Sequence, residues 1–307
     1  MTAHDTRRFR AMLDAMTPGG GLSARVNRLR FRWSARKHRA IYDPIMSAPL
    51  DTLLGRMADE RPEILAFIRA PYFCSGWSVD ERLTRFVAHV ATLEAHRPFD
   101  FPVAQSINLM PLTAIAQTMH VVVDKPMWFH REGVLAINLF DGNTRFFTLV
   151  FAFEPTATGL RALIGGIQGR NLPDILDRYR VLTKDAHGIR PRDLLIEIFR
   201  MLCARVGVTE IHAISDRGRH NRHPYFGGDV MRTLPLNYDE IWLDRSGTAI
   251  DQWFFDLPLH SERRADADIA PKKRSMYRQR YAMLDALEMQ MVDAYANMTP
   301  VTRPDAD

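Results

Sequence analysis

The hydrophobic period changes twice along this chain, and these changes constrain the fold more than any single motif. Up to about residue 100 the apolar residues recur at helical spacing. From about residue 112 to 169 they alternate or run together at strand length, and after Pro173 the helical spacing returns. Helices are predicted over residues 5–16, 22–41, 49–57, 62–68 and 78–96. In the last, Ser78 with Glu81 three residues on is a capping box, and Leu83, Phe86, Val87, Val90 and Leu93 form the buried stripe. A Pro-punctuated connector, residues 99–111, leads to strands at 119–124, 127–131, 134–140, 145–154 and 160–168, with turn chemistry at Glu132-Gly133, Asp141-Gly142-Asn143 and Thr158-Gly159. Helices at 173–186 and 191–206 follow, then a strand at 209–215, a long polar loop to 236, a short helix at 238–243, a strand at 249–257 and a last helix at 272–295. Segregated strands and helices of this kind predict an α+β fold with a mixed, mostly antiparallel sheet flanked by helices.

Charge is distributed unevenly. Residues 7–39 carry ten arginines and lysines against one acid, Asp14, which gives +9 and leaves the remainder at −4 of a chain total of +5. The body is therefore mildly acidic, which disfavours a nucleic-acid binder that uses its whole surface, and no DNA partner is expected. Within the basic segment, Leu22, Val26, Leu29 and Trp33 lie on one helical face with arginines around most of the rest. The expected organisation is a basic amphipathic arm (1–40), a helical region (41–111), an α+β domain (112–298) and a disordered tail (299–307). With 46% hydrophobic and 25% charged residues the composition is that of a globular protein. Two cysteines, Cys74 and Cys203, exclude a disulfide framework and fit a reduced, cytoplasmic setting. No secretory signal is expected, and no apolar run approaches the roughly 20 residues needed to span a bilayer.

Four stretches carry candidate chemistry. Gly165-Gly166-Ile167-Gln168-Gly169 ends a strand, where glycines admit a ligand to the backbone or allow a tight strand-to-helix corner. It is neither a Walker loop nor G-x-G-x-x-G. His187-Gly188-Ile189-Arg190-Pro191-Arg192 opens a helix, where free amides, the positive dipole end and two arginines suit a phosphate or carboxylate. The competing reading leaves the arginines solvated or pairs them with Asp174, Asp177 or Asp185. His220, His223 and Tyr225 crowd the polar loop as candidate substrate contacts; a metal on His220, His223 and Asp216 is weakly supported by the spacing, and none is predicted. In Asn237-Tyr238-Asp239-Glu240-Ile241-Trp242, Tyr238 suits an acid, Asp239 or Glu240 a base and Trp242 a substrate contact; the plainer reading is a capped helix with Trp242 in the core. Glu154, ending an apolar strand, is a further base candidate, with a pKa expected to be raised by burial.

Taken together, the stretch from Ile164 to Gly169, Leu182-Thr183-Lys184 through Arg192, Tyr238 to Trp242, and Tyr277-Arg278-Gln279-Arg280-Tyr281 resembles the VirK/YbjX family of bacterial proteins over roughly residues 45–295. That resemblance implies an association with virulence and with envelope changes, including resistance to cationic peptides. In architecture, the meander, the glycine-marked strand end and the following basic helix start are similar to the GNAT acyltransferase superfold. The likeness implies that Ile167, Gln168 and Gly169 line the pantetheine arm of an acyl donor, and that Gly188, Arg190 and Arg192 hold its phosphates. The usual Q/R-x-x-G-x-G/A loop is absent, and an extra helix at 173–186 intervenes. With these departures the likeness implies acyl-CoA, another donor such as an acyl carrier protein or an aminoacyl-tRNA, or a degenerate site.

Two functions follow as expectations. The first is an acyl- or aminoacyl-transferase acting on an amine, with Glu154, Tyr238 and Asp239 in proton transfer, His187, His220, His223, Tyr225 and Trp242 at the substrate, and backbone amides of the glycine run as oxyanion donors. The second is a non-enzymatic envelope factor, peripheral at the inner membrane, whose residues 22–41 lie on anionic lipid. Nucleic-acid binding by the arm, to tRNA in particular, is a lesser reading resting on Arg30-Phe31-Arg32-Trp33.

Overall fold

The computed structural model describes residues 2–227 and 236–302. Five helices come first: α1 (Ala3–Met16), α2 (Leu22–Lys37), α3 (Arg39–Met46), α4 (Leu53–Glu60) and α5 (Val79–Ala95), with a 3-10 segment at Pro62–Ile68. Local chemistry sets their starts. Thr2 and Asp5 form a reciprocal capping box on α1, and Thr52 and Ser78 accept the amides of Gly55 and Glu81 at 3.1 and 3.2 Å. The helix predicted over 22–41 is broken at His38, which leaves helical geometry and holds Asp80 of α5 at 2.5 Å. Pro44 does not end the chain's helical course there and lies inside α3.

The strands β1 (Gln105–Pro111), β2 (Met119–Asp124), β3 (Leu135–Asp141), β4 (Thr144–Thr156) and β5 (Gly159–Gly169) form the antiparallel meander. Helices α6 (Ile175–Asp185) and α7 (Pro191–Val206) cross to β6 (Val208–Ile214), which pairs parallel with β5. Then come α8 (Tyr238–Leu243), β7 (Thr248–Ala249), β8 (Phe254–Leu257), α9 (Arg274–Ala296) and β9 (Pro300–Thr302). Among the described residues the sheet order is β7-β8-β6-β5-β4-β3-β2-β1-β9, and β5–β6 is the one parallel pairing.

The α+β class with a mostly antiparallel, helix-flanked sheet is as the period changes predict. Four details differ. Residues 127–131 are loop, because the chain leaves the sheet after Asp124. The connector 99–111 ends in a strand, β1. The stretch 249–257 splits into β7 and β8 around a turn at Asp251, whose carboxylate accepts the Trp253 and Phe254 amides. Residues 300–302 of the expected tail pair with β1, and 303–307 lie outside the described residues.

Alternation along β4 explains why it is buried throughout its centre. Phe151 and Phe153 face α7, where the Phe199 ring lies 4.8 Å from that of Phe151, and Glu154 faces α5. One apolar core runs from Met12 in α1 to Met291 in α9.

Candidate functional site

The parallel strands part before they end. Their last paired residues are Ile164 and Ala213, yet β5 runs on to Gly169 against β4 alone. Diverging carboxyl ends of this sort are where open α/β sheets form ligand crevices. Here α8 closes the gap. Asn237 caps α8 through the Asp239 amide, at 3.1 Å. That orientation sends the Tyr238 hydroxyl to the free edge of β5, where it accepts the Ile167 N–H at 3.0 Å and donates to the Ile167 carbonyl at 3.1 Å. One turn on, the Trp242 indole donates to the carbonyl of Ile214, the last residue of β6, at 2.7 Å. Each strand end is thus held by one aromatic side chain of the same short helix.

On the other side of β5 the glycine run receives a carboxyl group. Between β2 and β3 the chain makes an excursion, residues 125–134, that crosses the sheet end. A Cβ on Gly165 would sit 1.8 Å from the Glu132 carbonyl oxygen, and one on Gly166 would sit 1.9 Å from Glu132 Oε2. The bare backbone is therefore a steric requirement of Glu132. The excursion is held by the Phe73 amide, which donates to the Arg131 carbonyl at 2.7 Å, and Phe73 itself has a left-handed φ of 58°. A buried phenylalanine in that region marks a backbone constrained by its surroundings.

Glu132 is buried. Gln168 Nε2 donates to its Oε1 at 2.9 Å, and Oε2 has no partner among the described residues. Burial pushes its pKa up to about 8, against the pull of Arg219 and the Gln168 hydrogen bond. His220, with Nδ1 3.8 Å from Oε1, is driven down to about 3 by burial and by Arg131 and Arg219; burial and Arg131 also lower His130, to about 4. At neutral pH these imidazoles are uncharged and Glu132 is poised between its two forms. Arg219, buried, lies 4.0 Å over the Tyr238 ring, and donates to the Leu236 carbonyl at 3.0 Å and to Asp216 at 3.4 Å. Asp216 leads outward to a cavity of about 610 Å³ that it lines with Asp239, Ser75 and Trp253.

Of the residues singled out in the sequence, Gln168, His220, Tyr238 and Asp239 meet around this strand end. Asp239 accepts the Asp216 amide at 2.7 Å, and His223 accepts the Tyr225 amide at 3.0 Å. Tyr225 packs edge-on against Phe226 beside them. Trp242 is core. Ile167 is sealed by Tyr238, and Gly169 lies under Tyr179, whose hydroxyl would be 2.7 Å from a Cβ there.

Other residues fall elsewhere. Glu154 faces Arg161 across the ladder while Gly166 faces Val150, so four residues, roughly 13 Å, separate Glu154 from the glycines that pack on Glu132. It is bound by Arg85 at 2.9 Å, Arg161 at 3.0 Å and His89 at 3.5 Å. These contacts overcome the effect of burial and hold its pKa at about 2, the reverse of the expected shift. At the start of α7, Arg192 donates to Asp193 at 2.9 Å and lies 4.0 Å from Asp244, neither of them an acid expected to pair with it. Arg190 is an exposed N-cap residue. His187 and Gly188 form a left-handed turn whose His187 carbonyl accepts two donors of Arg280, at 3.0 and 2.9 Å. Glu132, His130 and Arg131 are site residues that the sequence reading does not single out. The signal for Glu132 was the glycine doublet, read as room for a ligand when it is room for a side chain.

The family model described as "Protein of unknown function (DUF535)" matches residues 21–293. Two uncharacterized proteins of Haemophilus influenzae are each 34% identical to the chain. One match covers 170 residues, 52% of this chain and 53% of that protein; the other covers 139 residues, 45% of each. "Uncharacterized protein YbjX" of Escherichia coli is 31% identical over 132 residues, 43% of this chain and 40% of that protein. The chain thus spans about half the length of the curated relatives it matches. No solved structure matches it significantly. The chain belongs to the DUF535 family, the VirK/YbjX group.

Proposed function

We propose that the protein is an acyl- or aminoacyl-transferase acting on an amine, with its reaction centre where β5 and β6 part. The observation that carries this reading is Glu132, a buried carboxyl whose pKa is pushed up to about 8, set against the bare strand backbone of Gly165 and Gly166. A proton-transfer group is most effective with a pKa near the working pH. The acceptor nitrogen bonds to the donor's carbonyl carbon, the carbon–sulfur or carbon–oxygen bond to the carrier breaks, the amine proton passes to the Glu132 carboxylate, and the leaving thiolate or alkoxide takes that proton from the Glu132 carboxyl. The Ile167 amide is the oxyanion donor; the donor carbonyl exchanges with the Tyr238 hydroxyl that satisfies it now. The cavity lined by Asp216, Asp239, Arg217, Arg222 and Trp253 is the acceptor's entry in this scheme. Glu154 and the acid-paired start of α7 have no part in this scheme.

The donor is tested as acyl-CoA, acylated carrier protein and aminoacyl-tRNA, with envelope-derived amines as first acceptors. Product is read by mass spectrometry. Turnover with one donor class, falling about 100-fold or more in Glu132→Gln, supports the reading. Absence of binding to all three donors, or unchanged turnover in Glu132→Gln, overturns it.

A further inference from the structure

Helix α2 turns its apolar stripe away from the protein. Leu22, Val26, Leu29 and Trp33 are 80%, 38%, 61% and 64% exposed, whereas Phe31 and Ser34 are the buried residues of this helix. At about 100° per residue the four side chains fall within roughly 60° of arc, opposite Phe31. Arg25, Arg32 and Arg36 border the stripe on one side and Arg30 and Lys37 on the other, all exposed, and the 16-residue helix contains no acid. The Lys37 ammonium lies 5.3 Å over the Trp33 ring. On the arginine-rich flank a groove of about 690 Å³ opens between α1, α2 and α3, with Phe9, Leu13 and Met46 in its apolar lining and Arg10 and Arg39 among the basic groups beside Arg32 and Arg36.

We propose that α2 is an interfacial docking helix for an anionic phospholipid bilayer, its stripe entering the boundary between headgroups and acyl chains while the flanking cations meet lipid phosphates. The two-sided layout argues for a bilayer. A nucleic-acid backbone offers phosphates for the arginines and nothing for Leu22 or Leu29, whereas a lipid surface supplies both at the matching depths. The same face on a second copy would oppose arginine to arginine. This inference stands apart from the transferase reading, since it concerns where the protein resides and uses none of the residues around Glu132.

The full chain is the sample for the test, because α1 and α2 pack into the core. Co-sedimentation is measured with vesicles of phosphatidylcholine alone and of phosphatidylcholine mixed with phosphatidylglycerol, across a salt series. Binding is expected only to the anionic vesicles and weakens with salt. Leu29→Asp and Trp33→Asp each lower partitioning by about tenfold or more, as does Arg25→Glu with Arg36→Glu, with melting temperatures unchanged because these positions are exposed. Leu29→Ser, a milder change, moves in the same direction. The proposal is overturned by no binding to anionic vesicles, by binding indifferent to the stripe variants, by tRNA binding that competes vesicles away, or by a solution dimer that Leu29→Asp disperses.

Discussion

The carboxyl groups of Glu132 and Glu154 are both near the sheet, and their surroundings drive them in opposite directions. Glu154 meets two guanidinium groups and an imidazole and is held at about 2; Glu132, buried beside a primary amide and one imidazole, rises to about 8 against the pull of Arg219. The stability consequences have opposite signs. Unfolded, Glu132 releases its proton near pH 4.5, whereas folded it holds that proton until about pH 8, so its contribution is complete below pH 4.5 and is lost as pH rises through that window. Urea denaturation should therefore show the wild type losing stability between pH 5 and pH 8 relative to Glu132→Gln; parallel profiles would refute the raised pKa. For Glu154 the loss comes as pH falls from 4.5 to about 2. At neutral pH, Glu154→Gln should cost about 2 kcal/mol, since hydrogen bonds to charged groups are removed and two partly buried arginines lose their acid.

Strand β5 and helix α8 form the next level. Tyr238→Phe keeps the ring and removes the oxygen that serves both the N–H and the C=O of Ile167, leaving two buried backbone groups unpaired. The expected cost is about 2–3 kcal/mol, with amide exchange at Ile167 accelerated ahead of its neighbours on the β4 side. Equal exchange in wild type and variant would contradict the wedge. Gly166→Ala forces a methyl into the Glu132 carboxyl and is expected to destabilise by a comparable amount, a loss that Glu132→Ala should partly restore in a double-mutant cycle. The same elements show how far the sequence reads. The glycine run, the capped helix at 238–243 and the histidine loop are all visible as local patterns, and four of their side chains do meet. Glu132 is not visible in this way, because its neighbours at 165 and 166 are more than thirty positions away and the feature they share is an absence of side chain. Glu154 reads as a buried acid from its strand, but its arginines come from α5 and the facing strand, and only the ladder register brings Arg161 opposite it.

Across the whole molecule the basic segment is part of the body. Period and charge suggest a separable arm over residues 1–40, yet Met12, Leu13 and Phe31 belong to the common core. Arg8 is buried and donates to the carbonyls of Met46, Ala48 and Gly55, at 3.0, 2.8 and 2.7 Å, while its Nε lies 3.2 Å from Asp59. These bonds tie α1 to the end of α3, the turn after it and the first turn of α4. A charge count cannot distinguish such an arginine from the exposed ones of α2, since the difference is made by acceptors about forty to fifty residues away. The arrangement makes a prediction about cooperativity. Arg8→Ala removes the side-chain donor of three buried carbonyls and the ion pair with Asp59, and should cost about 3 kcal/mol. If the helical third and the sheet share one core, urea unfolding of this variant remains a single transition, with the midpoint lowered and the slope unchanged, and far-ultraviolet dichroism and tryptophan fluorescence coincide. Two separated transitions, with the later one at the wild-type midpoint, would instead show a helical region that melts on its own, and α2 would then be free to leave the body when it meets a membrane.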